Sequence, residues 1–569
     1  MNRKFIDLGC INLIAVVLLI GVLISGSAVA QQGSTEEYKN ELKKVEEVLQ
    51  AGDIMGALSQ LDVVISKYPN ASEVHYARAL LLAQGGELQQ AEASALRAHE
   101  LEEDNLLYSN YLLELYKRQQ KFDDAIGLIN ELMEIFPDNQ QVYREGVLLL
   151  QNKGDTTNAL ELISQTEDRF GRTDTLDVMR SELLMEQGEK EEAAELLSYW
   201  VDKETNIRQV YSNLAFIYAD GKQIKKAISL LEKGLNTIKD ENLYLDFADI
   251  YQVAKQKKRS YDYLLLAFQS DQVPFMEKHR IMFSLLSHTE EFNINQLQEL
   301  ASALVIRHPN IADSHLFKGD ILWRKGEVNE ARSLFLTAVS ISPQNIDAWR
   351  MLINADLASS DPDRAIQHAR QGLAKNPNHP QLLYFSGVAY FMKDDLKQAR
   401  ELLEGALNYS DKESPFVQSN IYASLGDLYH KLELTEASDV AYQEAIDLDS
   451  LNVSALNNLA YYLSLRKEKL DTAEKYSKKT LELEPDNTTF LDTYAWVLFQ
   501  QGRFEEAKAW IEKAVNKSNP SSAVLEHYGD ILLELGKQKD AQKQWRRALK
   551  LANDDADVEK LKDKISNNN

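Results

Sequence analysis

The 569-residue sequence has a single cysteine, Cys10, and only 11 prolines and 24 glycines. With one cysteine the chain forms no internal disulfide. Removal of the first 30 residues would also leave no thiolate for catalysis or metal binding. The scarcity of helix-breaking residues, together with abundant Leu, Ala, Glu and Lys, favours an all-α chain.

Motifs that carry chemistry are also missing. The ten histidines form no H-E-x-x-H pattern or other metal-ligand spacing, and the sequence has no G-x-S-x-G, Walker loop or G-x-G-x-x-G. Adjacent acids such as Asp123 and Asp124 fall at predicted helix starts, where a negative charge stabilises the helix N-terminus. We therefore predict no enzyme, no catalytic residue, no metal site and no cofactor.

Positive charge is in deficit, because 63 Lys and Arg residues face 88 Asp and Glu residues, for a formal net charge of −25. Loss of residues 1–30, which hold Arg3, Lys4 and Asp7, makes the net charge −26. Such an acidic surface argues against nucleic acids and anionic membrane surfaces as partners.

Long apolar runs are confined to the N-terminus, where residues 1–30 resemble a secretory signal. Arg3 and Lys4 provide a basic start, residues 11–24 are apolar, and Ala28-Val29-Ala30 matches a cleavage site before Gln31. Cys10 precedes the apolar run, which argues against a lipoprotein signal. We predict cleavage after Ala30 and export to a periplasm or envelope. The alternative is an uncleaved anchor, since residues 8–30 are just long enough to span a bilayer.

The rest of the chain is organised by a repeat. Measured from Gly319, the residues Gly326, Ala331, Phe335, Ala338 and Pro343 follow at spacings of 7, 12, 16, 19 and 24. Steps of 34 residues connect the alanines at 57, 91, 125, 159, 193 and 227 without a slip. The glycines at 85–86, 154, 188 and 221 are predicted to end helices in left-handed turns. The run KQKKR at 255–259 is predicted to be a solvated loop.

These spacings resemble the tetratricopeptide-repeat (TPR) family, in which small residues let two helices of one repeat approach closely. The resemblance implies an all-α, right-handed α-α superhelix, a TPR solenoid of about fifteen helix-turn-helix repeats. We predict a signal peptide at 1–30, a linker at 31–37, an N-terminal array at 38–272 and a C-terminal array at 311–553. Residues 273–310 are either a degenerate repeat or a joint, and 554–569 form a capping helix and tail.

The resemblance also implies where a partner binds. In the TPR family, positions 2, 5, 9, 12 and 13 of the first helix usually line a concave groove. Carried over repeat by repeat, these positions select Trp323, Arg324, Arg350, Asn354, Tyr384, Phe391, Met392, Asn457, Tyr461, Trp496 and Phe499. Exposed aromatic surface of this kind is typical of a partner site. The alternative is that position-12 residues such as Phe391 and Phe499 pack against the next repeat.

The predicted function is a non-catalytic scaffold or adaptor that binds a protein or peptide in the groove. Residues 451–551 resemble the TPR regions of bacterial envelope adaptors, which implies an envelope protease or assembly machinery as partner. The alternative is a membrane-anchored assembly subunit of a secretion or motility complex. That alternative requires the N-terminal helix to remain uncleaved, and only then is a membrane contact expected.

Overall fold

The computed structural model of the chain describes residues 35–50, 52–287, 291–517, 520–552 and 555–568. The predicted signal peptide and most of the predicted linker lie outside these ranges. Within them, no helix is both long enough and apolar enough to cross a membrane.

The described residues form thirty-one α-helices and no β-strand, which confirms the predicted all-α TPR solenoid. We number them α1 to α31. Odd numbers up to α29 are the first (A) helix of a repeat and even numbers the second (B) helix, so the described residues contain the predicted fifteen pairs. The helices are Thr35–Gln50, Ile54–Lys67, Ser72–Gln84, Leu88–Leu101, Leu106–Arg118, Phe122–Ile135, Gln140–Lys153, Thr156–Phe170, Asp174–Gln187, Lys190–Asp202, Arg208–Asp220, Ile224–Ile238, Leu243–Val253, Lys257–Gln269, Phe275–Ser287, Ile294–Arg307, Ala312–Arg324, Val328–Ile341, Ile346–Ala358, Pro362–Lys375, Pro380–Met392, Leu396–Asn408, Pro415–Lys431, Thr435–Leu448, Val453–Arg466, Leu470–Leu483, Thr488–Gln500, Phe504–Val515, Ser522–Glu534, Gln538–Leu549 and Asp555–Asn567.

Turns between A and B helices use a residue with positive φ. Gly86, Gly154 and Gly188 have φ between 80° and 85°, as predicted. Gly221 does not follow the prediction, because its φ is −70° and the left-handed residue is the next one, Lys222, at 61°. The turn therefore tolerates a side chain at this position, at the modest cost of a non-glycine residue in the left-handed region.

In three pairs, a glycine of helix A faces a large ring of helix B. A Cβ atom added to Gly319 would lie 2.3 Å from the ring of Phe335. The same relation holds between Gly426 and Tyr442, at 2.6 Å, and between Gly529 and the ring of Trp545, at 2.3 Å. No real Cβ atom tolerates such distances, so glycine is required for the ring to fill the contact.

Successive pairs are joined by a side chain near the start of helix A. The Nε2 atoms of His75 and His315 lie 2.9 and 2.8 Å from the carbonyl oxygens of Pro69 and Pro309. Trp349 Nε1 donates to the Pro343 carbonyl at 2.8 Å. The carbonyl group of the proline after a helix B thus has a hydrogen-bond partner in a side chain of the next helix A. The residue spacing alone did not predict this role of the proline.

The chain divides into two compact units between Ala267 and Phe268. The first contains α1 to α13 and most of α14, and the second contains α15 to α31. The run KQKKR is exposed, but it is not a loop throughout, because α14 begins at Lys257. The predicted domain bounds, and the choice between a degenerate repeat and a joint at 273–310, stay predictions.

The first pair of the second unit, α15 and α16, lacks the glycine contact and contains a buried lysine. Lys278 is fully buried and donates to the Ser270 carbonyl at 2.5 Å, and its Nζ lies 3.2 Å from His308 Nε2. Burial lowers the pKa of Lys278 to about 8. Polar bonds therefore supplement apolar packing in this pair.

The last helix, α31, closes the second unit. Leu561 is fully buried in a cluster with Leu525, Leu532 and Trp545. Lys564 pairs with Glu526 and Asp530 of α29, each at 2.6 Å. The helix therefore covers the apolar face of the last repeat and is charged on its outer side.

The glycine contacts generate a paired prediction. Gly319→Ala should lower the free energy of unfolding by about 1–3 kcal/mol, because the added methyl group overpacks the Phe335 contact. Gly127→Ala, at a helical glycine with no neighbouring atom within 4 Å, should raise it by about 0.5–1 kcal/mol through lost chain entropy. Urea unfolding followed by circular dichroism measures both. Equal effects of the two substitutions would contradict the contact.

Candidate partner-binding site

The A helices of the second unit lie side by side and contact one another directly. Ser424 of α23 donates to the Tyr384 hydroxyl of α21 at 3.5 Å. Asn458 of α25 donates to Asp427 of α23 at 2.9 Å. We define the A-helix face as the surface formed by positions 5, 9, 12 and 13 of successive A helices from α17 to α29.

The predicted groove residues differ in exposure. Arg324 and Met392 are exposed, with 46% of Met392 accessible, whereas Asn457 and Trp496 are buried, at 6% and 8%. The remaining predicted residues are half-buried: Trp323, Arg350, Asn354, Tyr384, Phe391, Tyr461 and Phe499. The expectation that packing leaves this whole set free is therefore wrong for Asn457 and Trp496, whose side chains other helices cover.

Trp496 is covered because it lies between two rings. Its ring stacks on Phe499 at a centroid distance of 4.7 Å and on His527 of the next A helix at 4.0 Å. Phe499 also contacts Phe504 of the following helix B at 5.4 Å. Both of these contacts of Phe499 lie within its own repeat, so the alternative that position-12 residues pack against the next repeat stays a prediction.

The His527 imidazole is held by a buried carboxylate. Its Nδ1 lies 2.9 Å from Asp492 Oδ1, and both side chains are buried. Burial alone would lower the pKa of His527, but the Asp492 carboxylate outweighs burial, and the pKa is raised. A hydrogen-bonded His–Asp pair therefore connects α27 to α29 beside the Trp496 ring.

Two buried polar atoms on this face have no hydrogen-bond partner within the described part of the chain, namely Trp496 Nε1 and Asn457 Oδ1. The Asn457 amide nitrogen donates to Asn458, at 3.1 Å. An unpaired buried polar group costs about 1–3 kcal/mol of stability. At these two atoms, packing among the described residues therefore leaves a hydrogen bond unmade.

The site extends beyond the predicted residues. A cavity of about 660 Å³ lies beside Phe391 and is also lined by Asp427, His430, Lys431, Glu433, Thr435 and Tyr462. The His430 and Tyr462 rings stack at 3.5 Å. If the helix positions of α23 had been assigned by aligning Gly426 with the helix-A glycines of other repeats, the sequence would have selected Asp427 and His430.

The A helices of the first unit carry polar pairs instead. Lys117 pairs with Glu145 of the next A helix, and Asn213 donates to Glu182 at 3.2 Å. Among the described residues of either unit, no three His, Cys, Asp or Glu side chains are placed to hold a metal ion. The absence of catalysis, metals and cofactors stays a prediction.

The buried pair generates a pH-dependent prediction. The pKa of His527 is raised on folding, so its stabilising effect is complete below the unfolded pKa of about 6.5 and is lost as pH rises through the folded value. Asp492→Asn should therefore lower the free energy of unfolding by about 1–3 kcal/mol near pH 5.5 and by less near pH 9. Urea unfolding at both pH values measures the difference, with Asp411→Asn as the control for charge. A pH-independent difference would contradict the assignment.

Family comparisons match several stretches of the chain. Models described as tetratricopeptide repeat match residues 42–105, 298–346, 356–418 and 419–450. A model described as anaphase-promoting complex, cyclosome, subunit 3 matches residues 466–548. The matches fall in both units.

Relatives are similar over part of their length. A TPR repeat-containing protein of Methanocaldococcus jannaschii, MJ1428, is 30% identical over 29% of this chain and 31% of its own length. The human protein O-mannosyl-transferase TMTC3 is 23% identical over 38% of this chain and 23% of its own length. The crystal structure of the APC/C hetero-tetramer Cut9-Hcn1 covers 82% of this chain and 98% of its own, at 14% identity and a TM-score of 0.40.

The chain spans less than a third of the length of these two curated relatives. In the described residues the repeat is present as fifteen helix pairs. The chain belongs to the tetratricopeptide-repeat family, whose repeats form a scaffold for protein–protein interaction.

Proposed function

We propose that this chain is an exported, non-catalytic scaffold of the bacterial envelope that binds a protein partner on the A-helix face of its second unit. The observation that carries the proposal is the row of large side chains that remain partly accessible there. Trp323, Tyr384, Phe391, Tyr461 and Phe499 lie on four A helices and are each half-buried. Aromatic groups of this kind give a partner large contact area at low entropic cost.

The composition of the face supports a protein as the ligand. Arg324 and Arg350 lie at its N-terminal end and already pair with Asp320 and Asp347 of their own helices. Farther along, aromatic rings alternate with amide and carboxylate groups. Such a mixture of apolar area and hydrogen-bonding groups suits an extended or helical peptide segment better than a small apolar molecule.

The envelope location rests on the N-terminal sequence. Arg3 and Lys4, the apolar run at 11–24 and Ala28-Val29-Ala30 resemble the parts of an export signal, which supports this location. In that location the partner would be an envelope protease or an assembly component, which the scaffold brings to its substrate or complex.

A photo-crosslinking experiment tests the binding face. A benzoyl-phenylalanine group at Met392, which is 46% accessible on the A-helix face, should crosslink one partner protein in native cells. The same group at Leu336, which is 47% accessible on helix B two repeats earlier, is the matched control and should not crosslink that protein. Mass spectrometry identifies the products. Equal capture from both positions would contradict binding on the A-helix face.

The mature N-terminus tests the location. We expect terminal sequencing of the native protein to begin at Gln31 and cell fractionation to place it in the soluble envelope fraction. An intact N-terminus in the membrane fraction would instead support the alternative, a membrane-anchored assembly subunit of a secretion or motility complex. Ala28→Leu together with Ala30→Leu should block cleavage and serves as the control for processing.

A further inference from the structure

The cavity beside Phe391 combines aromatic walls with a carboxylate. It lies among three successive A helices, α21, α23 and α25, within the second unit. Its volume of about 660 Å³ is within the usual range for a site that takes a side chain or a small ligand. Phe391 and the stacked rings of His430 and Tyr462 form its walls.

Asp427 is the polar group of this cavity, and neutral groups hold only one of its oxygens. The Tyr442 hydroxyl and the Asn458 amide donate to Oδ1 at 2.5 and 2.9 Å. Within the described residues, Oδ2 accepts no hydrogen bond. Burial raises the pKa of the Asp427 carboxyl, although the bonds from Tyr442 and Asn458 oppose part of the rise. The carboxylate is therefore partly desolvated and only half satisfied.

Asp427 is half-buried, and it lacks the ion pair that each fully buried acid of the described residues makes. Five carboxylates are buried in the described part of the chain, and each lies within 4 Å of an Arg, Lys or His nitrogen: Asp177, Asp246, Asp356, Asp492 and Glu526. Asp427 makes no such pair among the described residues. A desolvated carboxylate is stabilised by a nearby cation, so the cavity has a place for a positive charge that the described residues do not fill.

The walls favour the same kind of ligand. Aromatic ring faces attract cations, and the Lys431 ammonium already lies 5.4 Å from the Phe391 centroid while it pairs with Asp394 at 2.5 Å. His430 adds no positive charge to the cavity near neutral pH, because burial and then Arg466 lower its pKa. Glu433 also lines the cavity. With Lys431 neutralised by Asp394, the cavity is electrically negative, as is the whole chain at −25.

We propose that this cavity receives a basic side chain, arginine or lysine, of a peptide bound on the A-helix face. The cationic group donates to Asp427 Oδ2, and its aliphatic stem lies between Phe391 and Tyr462. The inference rests on the proposed function and specifies the chemistry of the partner, namely a segment with a basic residue at the position that meets α23.

A capped single residue tests the cavity directly. N-acetyl-arginine methylamide is titrated into the full mature chain and followed by ligand-observed NMR, with the neutral isostere N-acetyl-citrulline methylamide as the matched probe. We expect saturable binding of the arginine probe and at least about tenfold weaker binding of the citrulline probe, since only the guanidinium ion pairs with a carboxylate.

Variants of the chain test whether the arginine probe binds in the cavity. Asp427→Asn keeps an oxygen that accepts from Tyr442 and Asn458, so it should fold and should weaken arginine binding at least about tenfold. Asp411→Asn, an exposed loop residue, changes the net charge equally and should leave binding unchanged. If Asp427→Asn fails to fold, Phe391→Leu replaces it and should also weaken binding. The proposal is overturned by absent arginine binding up to about 10 mM, by equal binding of citrulline, or by an unaffected cavity variant.

The same variant separates this inference from the proposed function. In the Asp427→Asn background, the Met392 crosslink should decrease if a basic residue of the partner occupies the cavity. An undiminished crosslink means that the partner binds the face without using the cavity, so this inference fails and the proposed function stands. Absence of the Met392 crosslink in the otherwise native chain would contradict the proposed function itself.

Discussion

The structure depends on the close approach of two helices within each repeat. At Gly319, Gly426 and Gly529 the facing ring lies where a side chain would otherwise be. This contact buries only one side of each helix, so the other apolar faces of the pair remain incompletely buried. A single pair therefore buries too little surface to be stable, and stacking on its neighbours completes the core, so that each repeat is stable only within the array.

Because stacking uses the same positions in every repeat, other positions on the A helices vary in chemistry without altering the fold. In the first unit they hold charged pairs such as Lys117 with Glu145. In the second unit they hold the half-buried rings of Tyr384, Phe391 and Tyr461. The scaffold is thus uniform, while the surface it presents differs between units, and under the proposed function partner specificity would depend on these variable positions.

Most of the fold could be predicted because the repeat is a local pattern. Small residues at steps of 34 predicted fifteen pairs, and the charged end predicted the closing helix α31. Local pattern was insufficient where conformation or contact depends on distant neighbours. The left-handed residue of one turn is Lys222 and not the predicted Gly221, and Trp496 is buried. Its burial depends on His527, which lies one repeat later and is held by Asp492, so helix position alone could not predict it.

The polar contacts between A helices shape the face and also set the spacing of the repeats. Asn458 connects α25 to α23 through Asp427, and His527 connects α29 to α27 through Asp492. A ligand that lies across α21, α23 and α25 would contact side chains whose positions depend on these bonds. It would bind best to correctly spaced repeats and would stabilise that spacing by mass action. Binding of a partner at this place would therefore be coupled to the stability of the second unit through the same few polar groups.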